Sequence, residues 1–230
     1  CVNLGWGVFN VEKALSVICG GVKVKAGNDA NVAALGEMWQ GGGKGYEDVV
    51  MITLGTGVGG GIIRGGKIVA GTNGAAGEIG HMPMIDDESE CCGCGKKGCL
   101  EQYASANGLV NVAEKYIAAH RTVETELDLN AGFTAKDVCD AAKAGDKAGL
   151  AAVEESMRLL GKAMASVSCV IDPQVFVVGG GLSKAGNIII DTASKYYKEY
   201  AFHASRETEI KLATLGNAAG MYGGVKMVIG

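Results

Sequence analysis

Four cysteines stand close together in the middle of this chain, and one histidine precedes them. Cys91, Cys92, Cys94 and Cys99 are separated mostly by glycine and lysine, and His81 lies a short distance upstream. Glycine lets the backbone fold back so that several sulfurs converge on one point. Three thiolates and one imidazole are a common ligand set for structural zinc. We predict that His81, Cys92, Cys94 and Cys99 bind zinc, with Cys91 outside the set. A disulfide pair or exposed thiols are the alternatives.

Two apolar segments run directly into glycine-rich turns. Residues 49–54 lead into the turn at 55–61, and residues 175–178 lead into a run of three glycines. Without a Cβ, the backbone N–H groups of such turns can approach a phosphate closely. Neither turn is a P-loop, and a tight turn without ligand is the plain alternative. The candidate phosphate-binding residues are Gly55, Thr56, Gly57, Gly179, Gly180 and Gly181.

A third group of residues is polar and lies beside glycines or turns. Asn28, Asp29, Glu78, His81 and Glu101 together offer three carboxylates, an amide and an imidazole. Such a set suits a ligand rich in hydroxyl groups, such as a sugar, because polar groups of a binding site are costly to leave unpaired. Taken singly, each carboxylate is also explained by a helix N-terminus or a solvated face.

Strands that alternate with helices must position these residues. The sequence pattern predicts an α/β fold with helices packed on a mixed sheet. Strands or β-leaning segments are predicted at 22–26, 49–54, 62–63 with 67–69 as a hairpin, 175–178 and 208–213. Helices are predicted at 11–19, 29–40, 101–120, 134–144, 147–170, 187–201 and 217–228.

Composition excludes several classes of protein. The 230 residues carry a net charge of −4 and no basic run, so nucleic acid is not an expected partner of this stretch. No apolar run is long enough to span a bilayer, and we expect no membrane partner. Cys1, Cys19, Cys139 and Cys169 lie singly in apolar segments, where a reduced thiol behaves as a small core residue. We therefore expect a reducing, cytoplasmic setting.

Five motifs follow one another in a fixed order along the chain. They occupy residues 28–37, 54–61, 77–81, 92–101 and 179–181. Together they resemble the ROK family of bacterial sugar kinases and repressors, and within it the ATP-dependent glucokinase branch. The resemblance implies an actin-like, ribonuclease H-like ATPase fold in two lobes, with a sugar in the cleft between them. This chain would be mostly the large C-terminal domain, with its zinc-binding loop.

The resemblance also implies a role for each candidate residue. Asp29 would be the catalytic base, and Asn28, Glu78, His81 and Glu101 would bind the sugar. The turn at Thr56 would cradle the phosphates of Mg-ATP, and the glycines at 179–181 would lie against the nucleoside. The implied reaction is ATP-dependent phosphorylation of a hexose, with glucose to glucose 6-phosphate as the best match.

The N-terminus departs from the family pattern, because the first phosphate motif of these kinases is missing. We expect residues 1–10 to be a remnant of a missing N-terminal lobe, or the connection from it. Residues 11–230 would be the large domain, with the last helix packing back toward the small lobe. The isolated chain would then be inactive. A sugar-responsive ROK repressor is the alternative function, and a zinc-stabilised binding module is a third. The family resemblance implies a homodimer or homotetramer.

Overall fold

A mixed sheet of five strands forms the centre of the molecule. The computed structural model describes residue 7 and residues 9–230. The strands are β1 (Val49–Leu54), β2 (Val58–Arg64), β3 (Lys67–Ile68), β4 (Val175–Gly179) and β5 (Glu209–Leu212), in the spatial order β3-β2-β1-β4-β5. β1 pairs with β2 antiparallel and with β4 parallel, and β4 pairs with β5 parallel. The predicted mixed sheet and its hairpin are confirmed.

Eight α-helices of the described residues surround this sheet. They are α1 (Val11–Ile18), α2 (Asp29–Gln40), α3 (Glu101–Ala104), α4 (Ala106–Ala119), α5 (Ala135–Lys143), α6 (Lys147–Ile171), α7 (Asn187–Tyr200) and α8 (Ala219–Ile229). Side-chain caps define several starts. Asn28 caps α2, Thr134 and Asp137 form a capping box on α5, and Asp146 caps α6. α6 ends at Asp172, whose φ of 48° is left-handed.

Both faces of the sheet are buried, which explains why its central strands read as continuous apolar runs. On one face, Val49 and Met51 pack with Val177 against α2. On the other face, Val50 and Ile52 belong to a larger core built with the long helices α4 to α7. Successive strand residues point to opposite faces, so each strand contributes to both cores.

The parallel strands determine where a site can form. Because β1, β4 and β5 run in the same direction, the turns that follow them meet at one edge of the sheet. Two of these turns belong to the predicted glycine-rich segments at 55–61 and 179–181. The first turn is shorter than predicted, because residues 58–61 already form the start of β2, and Gly179 is the last residue of β4. Ligands of α/β proteins bind outside the carboxyl ends of such strands.

Helix α2 crosses α8 at very short range. A Cβ on Gly36 would lie 2.0 Å from the carbonyl oxygen of Ala219, and a Cβ on Gly223 would lie 1.8 Å from that of Val32. Glycine at both positions lets the two backbones touch. The last helix therefore packs on α2, which carries Asp29 at its start.

Two further details differ from the predictions. Residues 22–26 form no strand, and the outermost strands of the sheet are β3 and β5. The backbone N–H of Ala26 donates to the Glu12 side chain instead of to a neighbouring strand. Alternating Val and Lys favour a strand only where a neighbouring strand offers hydrogen bonds. The helix predicted at 101–120 is divided at Ser105, whose hydroxyl accepts from Gly108 N–H and starts α4.

The prediction for the N-terminus concerns residues that lie mostly outside the described part of the chain. The predicted remnant at 1–10 falls largely on residues 1–6 and 8, which lie outside the described residues. In the part of the chain that the structure describes, no helix combines the length and the apolar composition needed to cross a bilayer.

The crossing of α2 and α8 generates a first prediction. Gly223→Ala should lower the free energy of unfolding by about 1–3 kcal/mol, because its Cβ must push the two helices apart. Gly224→Ala is the matched control on the same helix: its Cβ meets nothing within 4 Å, and alanine should stabilise the helix by about 0.5–1 kcal/mol. Chemical denaturation measures both, and equal effects of the two variants would contradict the close crossing.

Candidate active site

A cleft of about 690 Å³ opens at the carboxyl edge of the sheet. Asp29, Glu78, His81 and Glu101 all line it, although they come from three separate parts of the chain. The structure thus brings together four of the five side chains that were predicted to bind a sugar. The fifth, Asn28, does not line the cleft. Its Oδ1 accepts from the N–H groups of residues 30 and 31 as the cap of α2.

Asp29 is the first residue of α2 and lies at the mouth of the cleft. One carboxylate oxygen, Oδ1, accepts from the N–H of Ala30 at 2.9 Å, and the side chain is exposed. The N-terminus of a helix favours a negative side chain, because unpaired N–H groups point outward there. A carboxylate held this way has a defined direction yet stays accessible to a ligand.

The four predicted metal ligands converge. The nitrogen of His81 and the sulfurs of Cys92, Cys94 and Cys99 all lie within 4.8 Å of one another. The Sγ atoms of Cys94 and Cys99 are 3.6 Å apart, and Cys92 Sγ is 3.7 Å from His81 Nδ1. Thiolates about 2.3 Å from a zinc ion lie roughly 3.8 Å from each other in a tetrahedron. The donors and their spacing therefore fit a Cys₃His zinc site.

Disulfide chemistry does not account for this cluster. Every cysteine of the described residues is free, Cys91 included, and a 3.6 Å separation is far longer than an S–S bond of about 2.05 Å. Burial, together with the neighbouring thiol of Cys94, raises the pKa of the Cys99 thiol to about 12, and burial also raises the pKa of Cys92. A backbone N–H from Lys96 lowers the pKa of Cys94. Metal binding here must displace protons from thiols.

His81 connects the metal cluster to the cleft. Its Nδ1 faces Cys92, whereas its Nε2 lies 4.0 Å from Glu78 Oε2. The short 3₁₀ helix Ile79–His81 brings the ring to this position. A metal on Nδ1 would fix the tautomer and leave Nε2 toward the cleft.

Glu101 lies between the metal cluster and the first glycine turn. Its Oε2 accepts from the N–H of Val58 at 3.0 Å, and its Oε1 lies 3.6 Å from Cys92 Sγ. A Cβ on Gly57 would meet this carboxylate at 2.1 Å. Glycine at 57 is therefore required for Glu101 to reach the turn at 55–57. Because Glu101 directly follows the cysteine loop, this contact connects the loop to the turn.

A second, larger cavity adjoins the cleft. It has a volume of about 900 Å³ and a mostly apolar lining that includes Val110, Phe133 and Leu182. The two cavities share the same rim, formed by Gly55, Thr56, Gly181 and Lys184.

The second glycine run, at the end of β4, divides between the sheet and the cleft. Gly180 and Gly181 line the cleft. Gly179 is buried in the sheet as the partner of Thr53 and lines neither cavity. A Cβ on Gly180, whose φ is 89°, would come within 2.4 Å of the backbone of Leu54. The run therefore places β4 against β1 and leaves two residues in the lining of the cleft, of which Gly181 is also at the shared rim.

Sequence reasoning missed a buried acid that fastens the cysteine loop. The Glu88 side chain is only 7% exposed and accepts from the hydroxyl of Tyr103, with Lys115 at 3.2 Å. These hydrogen bonds, the Tyr103 hydroxyl first, lower the pKa of Glu88 to about 2. Burial and then Glu88 raise the pKa of Tyr103. Glu88 sits in a stretch of exposed acids, so its burial has no local signal in the sequence.

Comparison with known proteins identifies the family. The model of the ROK family matches residues 2–230. This chain belongs to the ROK family. It is 42% identical over 226 residues to a glucokinase of Halalkalibacterium halodurans, a match that covers 97% of this chain and 68% of that protein. The chain thus spans about two thirds of the length of its curated relatives.

Solved structures of ROK proteins share the fold. A ROK glucokinase from Streptomyces griseus in complex with glucose and AMPPNP superposes with a TM-score of 0.79 at 35% identity, over 94% of this chain and 71% of that one. A ROK transcriptional regulator, a homologue of the E. coli MLC protein, gives a TM-score of 0.80 at 26% identity, over 93% of this chain and 53% of that one. The predicted α/β, actin-like ATPase fold is confirmed.

The cysteine cluster predicts that the protein binds zinc in a 1:1 ratio. The 230-residue chain should bind one zinc ion, and Cys94→Ser should lose it, whereas Cys91→Ser should retain it because Cys91 lies outside the ligand set. Metal retention should weaken as the pH falls, because the buried thiols take up protons in competition with zinc. Elemental analysis of dialysed protein measures this. Equal zinc in both variants would contradict the assignment.

The Glu88 network predicts a pH-dependent stability. The pKa of Glu88 is lowered on folding, so its stabilisation is present above pH 4.5 and is lost as the pH falls toward 2. At pH 7, Glu88→Gln should cost about 1–3 kcal/mol, and the gap to the unmodified chain should close toward pH 2. Glu207→Gln removes an exposed ion pair and is the control. Denaturation at several pH values measures the gap, and a constant gap would contradict the network.

Proposed function

We propose that this chain is the greater part of an ATP-dependent hexose kinase that converts glucose to glucose 6-phosphate. The curated glucokinase relatives and the ROK kinase structures support the enzyme class, ATP-dependent hexose kinase. One observation of this chain carries the proposal. A cleft lined by Asp29, Glu78, His81 and Glu101 shares its rim, at Thr56 and Gly181, with a second cavity large enough for a nucleoside.

The sugar occupies the polar side of the cleft. Glu78 and Glu101 supply acceptors for ring hydroxyls, and His81 presents Nε2 beside Glu78. Asn28 can still donate through its amide NH₂, since only its Oδ1 is used by the helix cap. A kinase that buries these groups against hydroxyls gains selectivity from the cost of leaving them unpaired.

The nucleotide spans the shared rim. The backbone N–H groups of Thr56 and Gly57 face the phosphates of Mg-ATP, whereas the N–H of Gly55 donates to the carbonyl of Gly57 and shapes the turn. Gly180 and Gly181 line the same cleft. The nucleoside enters the apolar cavity next to Leu182. Gly179 acts indirectly, since it anchors the second turn in the sheet.

Asp29 supplies the chemistry in this arrangement. It accepts the proton of the sugar's primary hydroxyl as that oxygen attacks the γ-phosphorus. A new O–P bond forms to the sugar, the bond from the γ-phosphorus to the bridging oxygen breaks, and ADP leaves with those electrons. Phosphoryl transfer asks the protein mainly for alignment and charge stabilisation. A positioned base contributes about 10²–10⁴-fold.

Zinc has a structural part in this proposal. His81, Cys92, Cys94 and Cys99 would hold it, and when bound it would close the cysteine loop and orient the imidazole. Glu101 follows this loop directly and contacts the turn at Val58. The loop therefore positions groups on both the sugar side and the phosphate side of the cleft.

A sugar-responsive repressor is the second candidate, because a ROK transcriptional regulator superposes as well as the kinase does. A carboxylate at position 29 beside a nucleotide-sized cavity favours the kinase. Turnover of ATP with a hexose by the complete protein separates the two functions. The predicted homodimer or homotetramer and the cytoplasmic setting remain proposals, the latter supported by the free thiols.

The role of Asp29 generates the decisive prediction for this function. In the complete protein, Asp29→Asn should lower kcat by about 10²–10⁴-fold while glucose still binds, because the amide cannot accept the proton. Asp128→Asn is the matched control: Asp128 is also exposed and bonded to nearby backbone, yet it does not line the cleft. A coupled assay and glucose titration measure both effects. Near-normal turnover of Asp29→Asn would refute the assignment.

A further inference from the structure

One carboxylate in the wall of the cleft is fully buried from solvent and has no part in the proposed chemistry. Glu37 lies in α2 with 0% exposure, on the same helix that begins at Asp29. Among the described residues, no lysine, arginine or histidine forms an ion pair with it. A buried charge without a counter-ion must be stabilised by hydrogen bonds.

Backbone N–H groups from two distant segments supply those bonds. Glu37 Oε2 accepts from Gly42 at 2.8 Å and from Thr214 at 3.1 Å, and Oε1 accepts from Leu215 at 2.8 Å. Gly42 follows α2, whereas the other two donors follow β5. One side chain thus ties the end of α2 to the turn after the edge strand.

Three consecutive glycines are shaped around this carboxylate. A Cβ on Gly41 would lie 2.0 Å from Glu37 Oε2, and a Cβ on Gly42 would lie 2.4 Å from the carbonyl oxygen of Leu212. Gly43 in turn donates its N–H to the main-chain carbonyl of Glu37. The absence of side chains at 41 and 42 therefore allows the backbone to pack directly against the Glu37 carboxylate and against β5.

The turn held by Glu37 belongs to the cleft. Gly216 and Asn217, which come directly after Leu215, line it together with Gly180 and Lys184. Ala213 donates its N–H to the carbonyl of Val178, so the turn after β5 is attached to the strand that ends in the second glycine run. It is the third turn at the carboxyl edge and lies beside Gly180 and Lys184, where the proposed function places the phosphates.

We propose that Glu37 is a positioning residue for nucleotide binding. Its carboxylate holds the turn at 214–217 at a set distance from α2, so that the wall facing the phosphates and the helix carrying Asp29 form one rigid unit. The inference rests on the proposed function, since it assumes that the rim of the cleft binds a nucleotide. It adds a determinant of nucleotide affinity that touches neither substrate.

Glu37→Gln is the sharpest substitution. The amide has the same shape, but its NH₂ must face an N–H donor on one side. Its oxygen can keep the pair from Gly42 and Thr214, which leaves the NH₂ opposed to Leu215. The variant should bind AMPPNP with Mg²⁺ about tenfold more weakly, while its affinity for glucose stays unchanged.

Two further variants separate positioning from general destabilisation. Asp146→Asn is the matched control: Asp146 also accepts from two backbone N–H groups, at Glu126 and Gly149, but lies away from the cleft. It should lower the melting temperature without changing nucleotide affinity. Leu215→Pro deletes one donor while leaving Glu37 intact. The φ of −83° at Leu215 is close to that of proline, so this variant tests the inference if Glu37→Gln does not fold.

Calorimetric titration of the complete protein with AMPPNP and, separately, with glucose reads out all variants. A selective loss of nucleotide affinity in Glu37→Gln or Leu215→Pro, absent in Asp146→Asn, supports the inference. If both variants keep the nucleotide affinity of the unmodified protein, or lose glucose affinity equally, the inference is overturned. The kinase proposal is not affected by either result. If the unmodified protein binds no AMPPNP, the kinase proposal fails and this inference fails with it.

Discussion

The parallel pairing of β1, β4 and β5 places the carboxyl ends of three strands at one edge of the sheet. Every candidate ligand contact in this chain lies at that edge or on elements that return to it. Backbone groups in the three turns after these strands pair with one another only in part, for example the Gly55 N–H with the Gly57 carbonyl, and the remaining groups need partners elsewhere. The surrounding structure must hold them, and the way it does so explains much of the rest of the molecule.

Buried or half-buried glutamates serve as the braces of these turns. Glu101 accepts from Val58 in the first turn, and Glu37 accepts from Thr214 and Leu215 in the third. Glu88 acts one step further out, where it fixes the cysteine loop that leads to Glu101. A carboxylate offers several acceptor sites, so one side chain can satisfy N–H groups from segments far apart in sequence.

Glycines lie directly against two of these carboxylates. Gly57 lies against Glu101, and Gly41 lies against Glu37, each with a separation that no Cβ would permit. The same device lets α2 and α8 touch at Gly36 and Gly223. At these positions glycine permits close approach of backbone to side chain and of helix to helix.

The sequence by itself determined the elements and the chemically distinctive clusters. Helix and strand periods, the spacing of Cys92, Cys94 and Cys99, and the ordered motifs depend on near neighbours along the chain. The mixed sheet and the family are confirmed, and the four predicted metal ligands converge. Only the tertiary structure decided that residues 22–26 find no strand partner and that Gly179 stays inside the sheet. The hydrogen bond between Glu37 and Leu215 spans 178 positions, and Glu88 in the cysteine loop accepts from a tyrosine of α3. Such roles depend on which groups folding brings together, and no local pattern of residues encodes that.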